Sequence, residues 1–244
     1  MSGALAVILA RAGSKGVPGK NVAQVAGRPC IEWTIDAAAA PCVARVVVSS
    51  DDPRALDIAH RRGASVIERP QHLAHDTARI DDAARHAVIE AERLGLWRGG
   101  AEAPVVVLYA NVPVRPAGLV ERAVRLLVES RCDSVQSYQP VGKHHPWWTA
   151  RVDASGRVSP WEGDVLNHGV FRRQDLPAAF VPDGAVIAVT RAALMLEIPG
   201  VQEGPHAFFG TDRRGIVNPE GSVVDIDAPI DLVVANTILS ERPS

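Results

Sequence analysis

A short loop near the start of the chain combines glycines with positive charge. Residues 11–21 read RAGSKGVPGKN, and Arg11, Lys15 and Lys20 give the loop three cations within ten residues. Glycines allow the backbone to approach an anion, so that free amide groups and cationic side chains can hold phosphates. Three cations suit a triphosphate, which makes this loop a candidate nucleotide site; a solvated basic loop is the alternative.

The glycine spacing of this loop matches neither of the two standard phosphate-binding motifs. A Walker loop has four residues between its glycines and Ser or Thr after its lysine, whereas five residues separate Gly13 from Gly19, and Asn21 follows Lys20. The dinucleotide fingerprint also fails, because Gly13, Gly16 and Gly19 are evenly three apart. The spacing therefore argues against a P-loop enzyme and against a Rossmann oxidoreductase.

Two carboxylates near the end of the chain could hold a divalent cation. Asp225 and Asp227 lie in the run VVDID, and residues 222–226 are predicted to form a strand. Residues two apart in a strand point the same way, so both carboxylates would lie on one side of the strand end. A hard cation such as Mg²⁺ or Mn²⁺ requires such oxygen ligands. A solvated strand end is the alternative.

The elements that must position these residues alternate between strands and helices from residue 4 to about 137. Continuous apolar runs are typical of strands buried on both faces, as in a parallel sheet. The alternation predicts βαβ units, with ligands at the carboxyl ends of the strands. Strands are predicted at 4–10, 44–49, 64–67, 104–109, 134–137, 184–189 and 222–226, and helices at 29–40, 51–62, 80–96, 119–130, 191–196 and 229–239.

The alternation stops between residues 138 and 182, a stretch predicted to be an extension of hairpins and loops. The chain is poor in aromatic residues, yet Trp147, Trp148 and Trp161 all lie here. Because Trp is enriched at subunit interfaces, packing at an interface is favoured over stacking on a base or a sugar. The predicted division is an α/β domain of residues 1–137 and 183–244 with a dimerisation extension of 138–182.

Composition limits the class of protein. A net charge of −2, with 47% hydrophobic and 22% charged residues, is ordinary for a globular chain and argues against disorder and against a basic nucleic-acid binder. No apolar run approaches the roughly 18 residues of a membrane helix, and no basic region precedes the first apolar stretch as in a signal peptide. Cys30, Cys42 and Cys132 are odd in number and lack CxxC spacing. We therefore expect a cytoplasmic protein without nucleic-acid or membrane partners.

Several segments together resemble the CMP-sialic acid synthetase family, the cytidylyltransferases that activate nonulosonic sugar acids. The opening AVILARAGSKGVPGKN and the DID segment are the most specific parts. The resemblance implies a three-layer α/β/α nucleotidyltransferase fold with a mostly parallel mixed sheet, and a homodimer. The sister family that activates an octulosonic acid has an opening loop without GSKG and matches less well. The other matching segments are VVVSSDD (46–52), ERPQHLAHDTA (68–78), RRQDLPAAFVPDGAV (172–186) and VVDIDAPIDL (223–232).

The resemblance implies a nucleotidyl transfer in which the anomeric hydroxyl of the sugar acid attacks the α-phosphate of CTP in line and pyrophosphate leaves. Positioning and charge neutralisation would dominate catalysis, and no side chain stands out as a dedicated general base. Magnesium would bridge phosphate and hydroxyl oxygens. The implied ligands of the triphosphate are Arg11, Ser14, Lys15 and Lys20, those of the rest of the nucleotide are Asn21, Arg69 and Ala78, and those of the metal are Asp225 and Asp227, with Arg11, Lys15, Lys20 and Asp227 as the catalytic set.

On the sugar side, the resemblance implies that Arg173 binds the carboxylate. It also implies that Phe208 and Phe209 line an acylamino pocket and that Lys143 reaches the site of a partner subunit. Arginine suits the first role because it can bind a carboxylate with two parallel hydrogen bonds.

The sequence departs from the family in the sugar pocket. The family's LQPTSPLR reads LYANVPVR at 108–115, so Tyr109 replaces a glutamine that contacts the sugar, and Asn111 and Val112 replace small hydroxyl residues. The family's NGA reads DGA at 183–185, so Asp183 replaces an asparagine, and Ile187 replaces the tyrosine that follows this motif in the family. Replacing a hydrogen-bonding amide with a phenol should change which sugar substituents are accepted. We therefore expect a substrate other than N-acetylneuraminate, unless Tyr109 is merely part of the pocket wall.

Two other functions remain open from the sequence. One is a nucleotidyltransferase of the same fold that uses another nucleotide or an octulosonic acid. The other is a nucleotide-binding protein without catalytic activity, for which loss of the basic loop or of the aspartate pair would be expected. Both features are intact, which favours an enzyme.

Overall fold

The computed structural model describes residues 3–13 and 15–241. Within these two stretches, no helix combines the length and the apolar character needed to cross a membrane. The strands are β1 (Ala4–Ala10), β2 (Gln24–Val25), β3 (Arg28–Pro29), β4 (Val43–Ser50), β5 (Ser65–Glu68), β6 (Pro104–Tyr109), β7 (Ser134–Pro140), β8 (Ala150–Val152), β9 (Val158–Pro160), β10 (Phe180–Thr190) and β11 (Arg213–Val217). The α-helices are α1 (Cys30–Ala38), α2 (Pro53–Arg61), α3 (Ile80–Arg93), α4 (Leu119–Ser130), α5 (Arg191–Leu194) and α6 (Pro229–Ser240).

A seven-stranded sheet in the order β11-β7-β10-β6-β1-β4-β5 forms the centre of the fold. Neighbouring strands are parallel except at β10, which runs antiparallel to both β6 and β7. The reversal brings the early part of β10 to the same edge of the sheet as the carboxyl ends of β1 and β6. The predicted mostly parallel mixed sheet is confirmed.

Apolar residues cover both faces of this sheet. Alternate residues of β1 point to opposite faces, so Ala6 and Ile8 pack with α1, α2 and α4, while Leu5 and Val7 pack with α3 and α5. All seven residues of β1 are buried, as the continuous apolar run predicts. The result is the expected arrangement of helix, sheet and helix layers.

The prediction of a strand over 222–226 is wrong. The segment forms a single antiparallel bridge, between Val224 and Val114. The backbone N–H groups of Val224 and Ile226 donate to the carbonyls of Val114 and Asn111, 3.2 and 2.9 Å away. The segment therefore packs against the loop that follows β6 and stays outside the sheet.

The edge strand β11 was not predicted, and the helices α1, α2, α3 and α5 are shorter than expected. β11 reads RRGIV and is largely exposed, so it lacks the apolar run that marks the buried strands. α3 ends at Arg93 because Gly95, with a φ of 68°, provides the left-handed residue that commonly terminates a helix. α5 ends at Leu194, two residues before the predicted end.

A network around Asp183 fixes an irregularity in β10. The register between β10 and β7 shifts between Pro182 and Ile187. At this point the buried Asp183 carboxylate accepts hydrogen bonds from the Ser137 hydroxyl, from the Ala185 N–H at 3.0 Å and from Asn218 Nδ2 at 2.7 Å. These hydrogen bonds hold the bulge of β10 at the boundary between the α/β domain and the predicted extension. The extension includes the short β8–β9 hairpin.

The buried guanidinium of Arg115 ties the loop after β6 to its surroundings. It donates to the carbonyls of Tyr109 and Ala185, each at 2.8 Å, to the Val112 carbonyl, and to the Thr34 hydroxyl at 2.8 Å. Burial lowers the pKa of Arg115 to about 10, so the group is charged at neutral pH. One side chain thus joins the end of β6, the bulge of β10 and helix α1.

We expect Arg115→Met to destabilise the fold strongly, because several buried acceptors would lose their donor. Leaving such groups unsatisfied should lower the free energy of unfolding by about 3 kcal/mol or more. The control is Arg125→Met, which replaces an exposed arginine on α4 and should change stability little. Thermal unfolding of the two variants measures the difference in stability between them. Equal melting temperatures for the two variants would contradict this account of the loop.

Candidate active site

A cavity of about 600 Å³ opens at the carboxyl ends of β1 and β6, where Leu9 and Tyr109 line it. This is the edge at which parallel α/β sheets bind ligands. The cavity brings together most of the residues singled out from the sequence. Those that line it are Arg11, Lys15, Lys20, Asn21, Arg69, Ala78, Tyr109, Asn111, Asp225 and Asp227. Ser14, implied to bind the triphosphate, lies outside the described residues.

The basic loop is fixed to the aspartate segment by close backbone contact. A Cβ added at Gly16 would lie 2.0 Å from the carbonyl oxygen of Asp227, so the approach requires a residue without a side chain. The next residue, Val17, is buried in a small apolar cluster with Ile226 and Ala235. The loop and the segment that carries the aspartates therefore pack as one unit, although more than 200 residues separate them in sequence.

Lys20 and Asn21 project from a turn of 3-10 helix at the end of this loop. Lys20 Nζ lies 2.6 Å from Asp227 Oδ1 and 2.7 Å from the Ile226 carbonyl oxygen. Asn21 Nδ2 donates to the Arg11 carbonyl at 2.8 Å. Within residues 3–13 and 15–241, the buried Asn21 Oδ1 has no hydrogen-bond partner, which leaves an acceptor at the cavity.

The two aspartates differ in environment. Asp225 is half-buried and accepts a hydrogen bond from Asn111 Nδ2, whereas Asp227 is exposed. Burial, together with the negative charge of Asp227, raises the pKa of Asp225 to about 6. The pair lies in an irregular segment instead of the predicted strand, yet both side chains line the cavity.

The donor set of this pair fits a hard divalent cation. Among the described residues no group of three or more His, Cys, Asp or Glu side chains could hold a metal. A cation at the cavity could take protein ligands from Asp225 and Asp227, which both line it, and its other ligands from phosphate oxygens and water. Mg²⁺ is commonly bound in this way, through one or two carboxylates and the phosphates of a substrate.

Asp76 is a site residue that the sequence reasoning missed. Its carboxylate lies 2.6 Å from Arg11 Nη1 and 2.6 Å from Lys15 Nζ. The hydrogen bonds from Arg11 and Lys15 lower the pKa of Asp76 to about 2. The residue lies in the segment 68–78 that resembles the family, but no local pattern assigned it a role, since only the fold brings it opposite the basic loop. The Asp76 carboxylate thus pairs with two of the three cations of the loop.

Arg69 lies deep in the wall of the cavity. Its guanidinium donates to the Ser49 carbonyl at 2.8 Å and to the Ser49 hydroxyl at 3.2 Å. Burial lowers the pKa of Arg69 to about 10, which leaves it charged at neutral pH. Held by the end of β4, this charge is a fixed feature of the cavity, unlike the exposed Lys15.

A second pocket of about 350 Å³ adjoins the cavity, with Tyr109 in the wall that the two share. Ile187, Phe208 and Phe209 make it largely apolar, and the two Phe rings have centroids 4.2 Å apart. Burial raises the pKa of the Tyr109 phenol to about 12, so the side chain is neutral. Gln136 from β7, which the sequence did not single out, also lines this pocket.

Arg173 and Lys143 are not brought to either pocket of their own chain. Arg173 lies on the extension, where its Nη2 is 2.6 Å from Glu220 Oε2 and its side chain is largely exposed. Lys143 lies in a neighbouring turn of 3-10 helix. A single chain therefore leaves the implied carboxylate-binding residue outside the site.

The fold is similar to those of solved nucleotidyltransferases. The structure of CMP:2-keto-3-deoxy-manno-octonic acid synthetase complexed with CTP superposes with a TM-score of 0.69 at 18% identity, covering 98% of this chain and 99% of that one. A putative glucose-1-phosphate thymidylyltransferase from Bacillus anthracis gives a TM-score of 0.61 at 12% identity, covering 99% of this chain and 97% of that one.

The particular family is shown by the sequence. Residues 5–133, more than half of the chain, match the model of the family described as "Cytidylyltransferase". The chain belongs to this family.

Several curated proteins are similar along almost the whole chain. A CMP-N,N'-diacetyllegionaminic acid synthase of Legionella pneumophila is 27% identical over 96% of this chain and 95% of its own length. An N-acylneuraminate cytidylyltransferase of Streptococcus agalactiae is 29% identical over 94% of this chain, and N-acylneuraminate cytidylyltransferase A of Danio rerio is 31% identical over 94%. This chain spans about half the length of the last two, at 51% and 49%.

We expect Gly16→Ala to lose on the order of 100-fold in nucleotidyl transfer, because its methyl group would push the basic loop away from Asp227. Pyrophosphate release from CTP measures this rate. The matched control is Gly13→Ala in the same loop, where, among the described residues, the added Cβ would meet only Arg11 Nη1, at 3.9 Å. Similar rates for the two variants would show that the close contact is not needed.

Proposed function

We propose that the protein transfers CMP from CTP to the anomeric hydroxyl of a nonulosonic sugar acid and releases pyrophosphate. The observation that carries this proposal is the meeting of Arg11, Lys15 and Lys20 with Asp225 and Asp227 around one cavity. The cations suit a triphosphate, the carboxylates suit its metal, and the chain belongs to the cytidylyltransferase family.

The residues of the cavity would act mainly by positioning and charge. Arg11 and Lys15 exchange the Asp76 carboxylate for phosphate oxygens and neutralise the departing pyrophosphate. Lys20, already beside Asp227, presents its charge where the phosphates meet the carboxylates. The charge of Lys20, held by the Ile226 carbonyl and by Asp227, requires little rearrangement as negative charge develops in the transition state.

Asp225 and Asp227 would hold Mg²⁺ or Mn²⁺. When bound, the cation supplies charge neutralisation at the phosphates and lowers the pKa of the attacking hydroxyl. The Asn111 amide, through its hydrogen bond to Asp225, keeps that carboxylate turned toward the cavity.

For the sugar acid, the pocket beside Tyr109 favours a substrate other than N-acetylneuraminate. Tyr109 and Ile187 replace a hydrogen-bonding amide and a phenol of the family, and both line this pocket. Bacterial nonulosonic acids with amino groups at positions 5 and 7 are the candidates, and the Legionella relative, aligned over nearly its whole length, is named for one of them.

A homodimer completes the proposal. The extension exposes large apolar side chains, among them Phe171 at 85% exposure and Trp161 at 55%, and such surfaces mark interaction sites. Arg173 and Lys143 lie outside the cavity of their own chain, so they would act in a neighbouring one. We also infer a cytoplasmic location, which is supported by the three unpaired cysteines.

We expect CTP, and not ATP, GTP or UTP, to support pyrophosphate release in the presence of Mg²⁺ and a nonulosonic acid. A panel of acids should include N-acetylneuraminate, its 5,7-diamino relatives and an octulosonic acid. Strong preference for N-acetylneuraminate would contradict the role given to Tyr109, and preference for the octulosonic acid or another nucleotide would favour the alternative substrates.

The same assay tests the metal ligands. Asp225→Ala and Asp227→Ala should each lower turnover by at least about 100-fold while CTP binding is retained. Each variant lacks one of the two carboxylates that would hold the cation where charge develops in the transition state. Asp57→Asn on α2, an exposed acid far along the chain from the pair, is the control. Undiminished turnover in both Ala variants would remove the metal assignment.

We expect Arg173→Ala and Asp225→Ala subunits to complement one another. Each homodimer should be inactive, but a heterodimer isolated with two affinity tags would contain one intact site and should show about half of the normal activity. An inactive heterodimer would contradict the contribution of Arg173 across the interface.

A further inference from the structure

β7 brings three side chains to one side of the sheet beside the second pocket. Ser134, Gln136 and Tyr138 are each two residues apart, so they share a face of the strand. The Ser134 hydroxyl donates to the Phe209 carbonyl at 2.7 Å and so attaches the Phe pair to this strand. Gln136 pairs with Ile187 of the neighbouring strand β10, and both residues line the pocket.

Tyr138 sets the orientation of the Gln136 amide. The Tyr138 hydroxyl donates to Gln136 Oε1 at 3.1 Å. The Tyr138 ring lies beside Gly215 of β11, where an added Cβ would come within 3.3 Å of it. With its oxygen engaged, the Gln136 amide keeps its Nε2 for another partner, and among the described residues Nε2 has no hydrogen-bond acceptor.

Four other polar side chains of this pocket are already paired within the protein. The pairs are Arg79 with Asp81, Asp76 with Arg11 and Lys15, and Thr77 with His75. His206, also in the lining, stacks on the ring of Phe209, and Tyr109 contributes its phenol. The pocket thus offers apolar walls, the amide donor of Gln136 and the phenol of Tyr109.

We propose that Gln136 is a specificity-determining residue that donates from Nε2 to the carbonyl oxygen of an acylamino group on the sugar acid. Ile187, Phe208 and Phe209 then surround the acyl methyl group. The assignment rests on the proposed function and adds a hydrogen-bond donor to the acylamino pocket that the resemblance implies for Phe208 and Phe209. A hydroxyl in the same place would leave the space between the apolar side chains empty. It would also accept from the Gln136 amide less well than a carbonyl oxygen does.

The test compares kcat/KM for matched pairs of nonulosonic acids that carry either an acetamido group or a hydroxyl at position 5 or at position 7. Gln136→Glu keeps the size of the side chain and the acceptor for Tyr138, but it replaces the donor with a carboxylate. The ratio of acetamido to hydroxyl substrate should fall by about tenfold for one of the pairs, because a carboxylate repels a carbonyl and accepts from a hydroxyl. The KM for CTP should not change.

Two further variants separate this role from a structural one. Gln139→Glu introduces the same charge on the opposite face of β7, outside both pockets, and should leave the ratio unchanged. Tyr138→Phe releases the amide, so the ratio should fall by less than in Gln136→Glu.

An equal loss on both substrates of each pair, or no loss on either, would overturn the assignment while leaving the proposed function standing. Absence of turnover with every acid in the unaltered protein would overturn the proposed function and the Gln136 assignment with it.

Discussion

The cleft of this cytidylyltransferase depends on a buried arginine. The guanidinium of Arg115 holds the carbonyls of Tyr109 and Val112, at the end of β6 and in the loop after it, together with the carbonyl of Ala185 in β10. Without a buried donor, these carbonyls could not lie together away from water. The same loop carries Asn111, whose amide and carbonyl hold the aspartate segment in place. The geometry of Tyr109 and of the aspartate pair therefore depends on a residue that does not line the cavity.

Local sequence was sufficient to predict the inner strands and most helices. β1 and β6 coincide with their predicted bounds, because a short apolar run that is buried on both faces has few other structures open to it. α4 also has its predicted bounds, since its apolar residues recur at helical spacing. By contrast, 222–226 is as apolar as a strand but forms its hydrogen bonds with a loop, and no local pattern distinguishes the two.

Residues of the site were predictable to the extent that a motif marked them. The basic loop and the aspartate pair carry such marks, and the structure brings them to one cavity. Asp76 and Gln136 carry none. Their positions follow from contacts with residues about 50 to 65 positions away in sequence, such as Arg11 for Asp76 and Ile187 for Gln136. The near-neutral net charge likewise conceals a strongly polarised cleft, in which Asp76 and Asp227 already balance the cations.

The bulge at Asp183 has a mechanical consequence. β7 and β10 are paired on both sides of the bulge, from the edge of the cleft into residues of the predicted extension, so a double-stranded ribbon connects the two regions. The register of that ribbon shifts where the Asp183 carboxylate accepts from Ser137 and Asn218. A bulge bends the strand that carries it. The few hydrogen bonds of Asp183 therefore set the orientation of the outer part of the ribbon, which leads to the segment that carries Arg173.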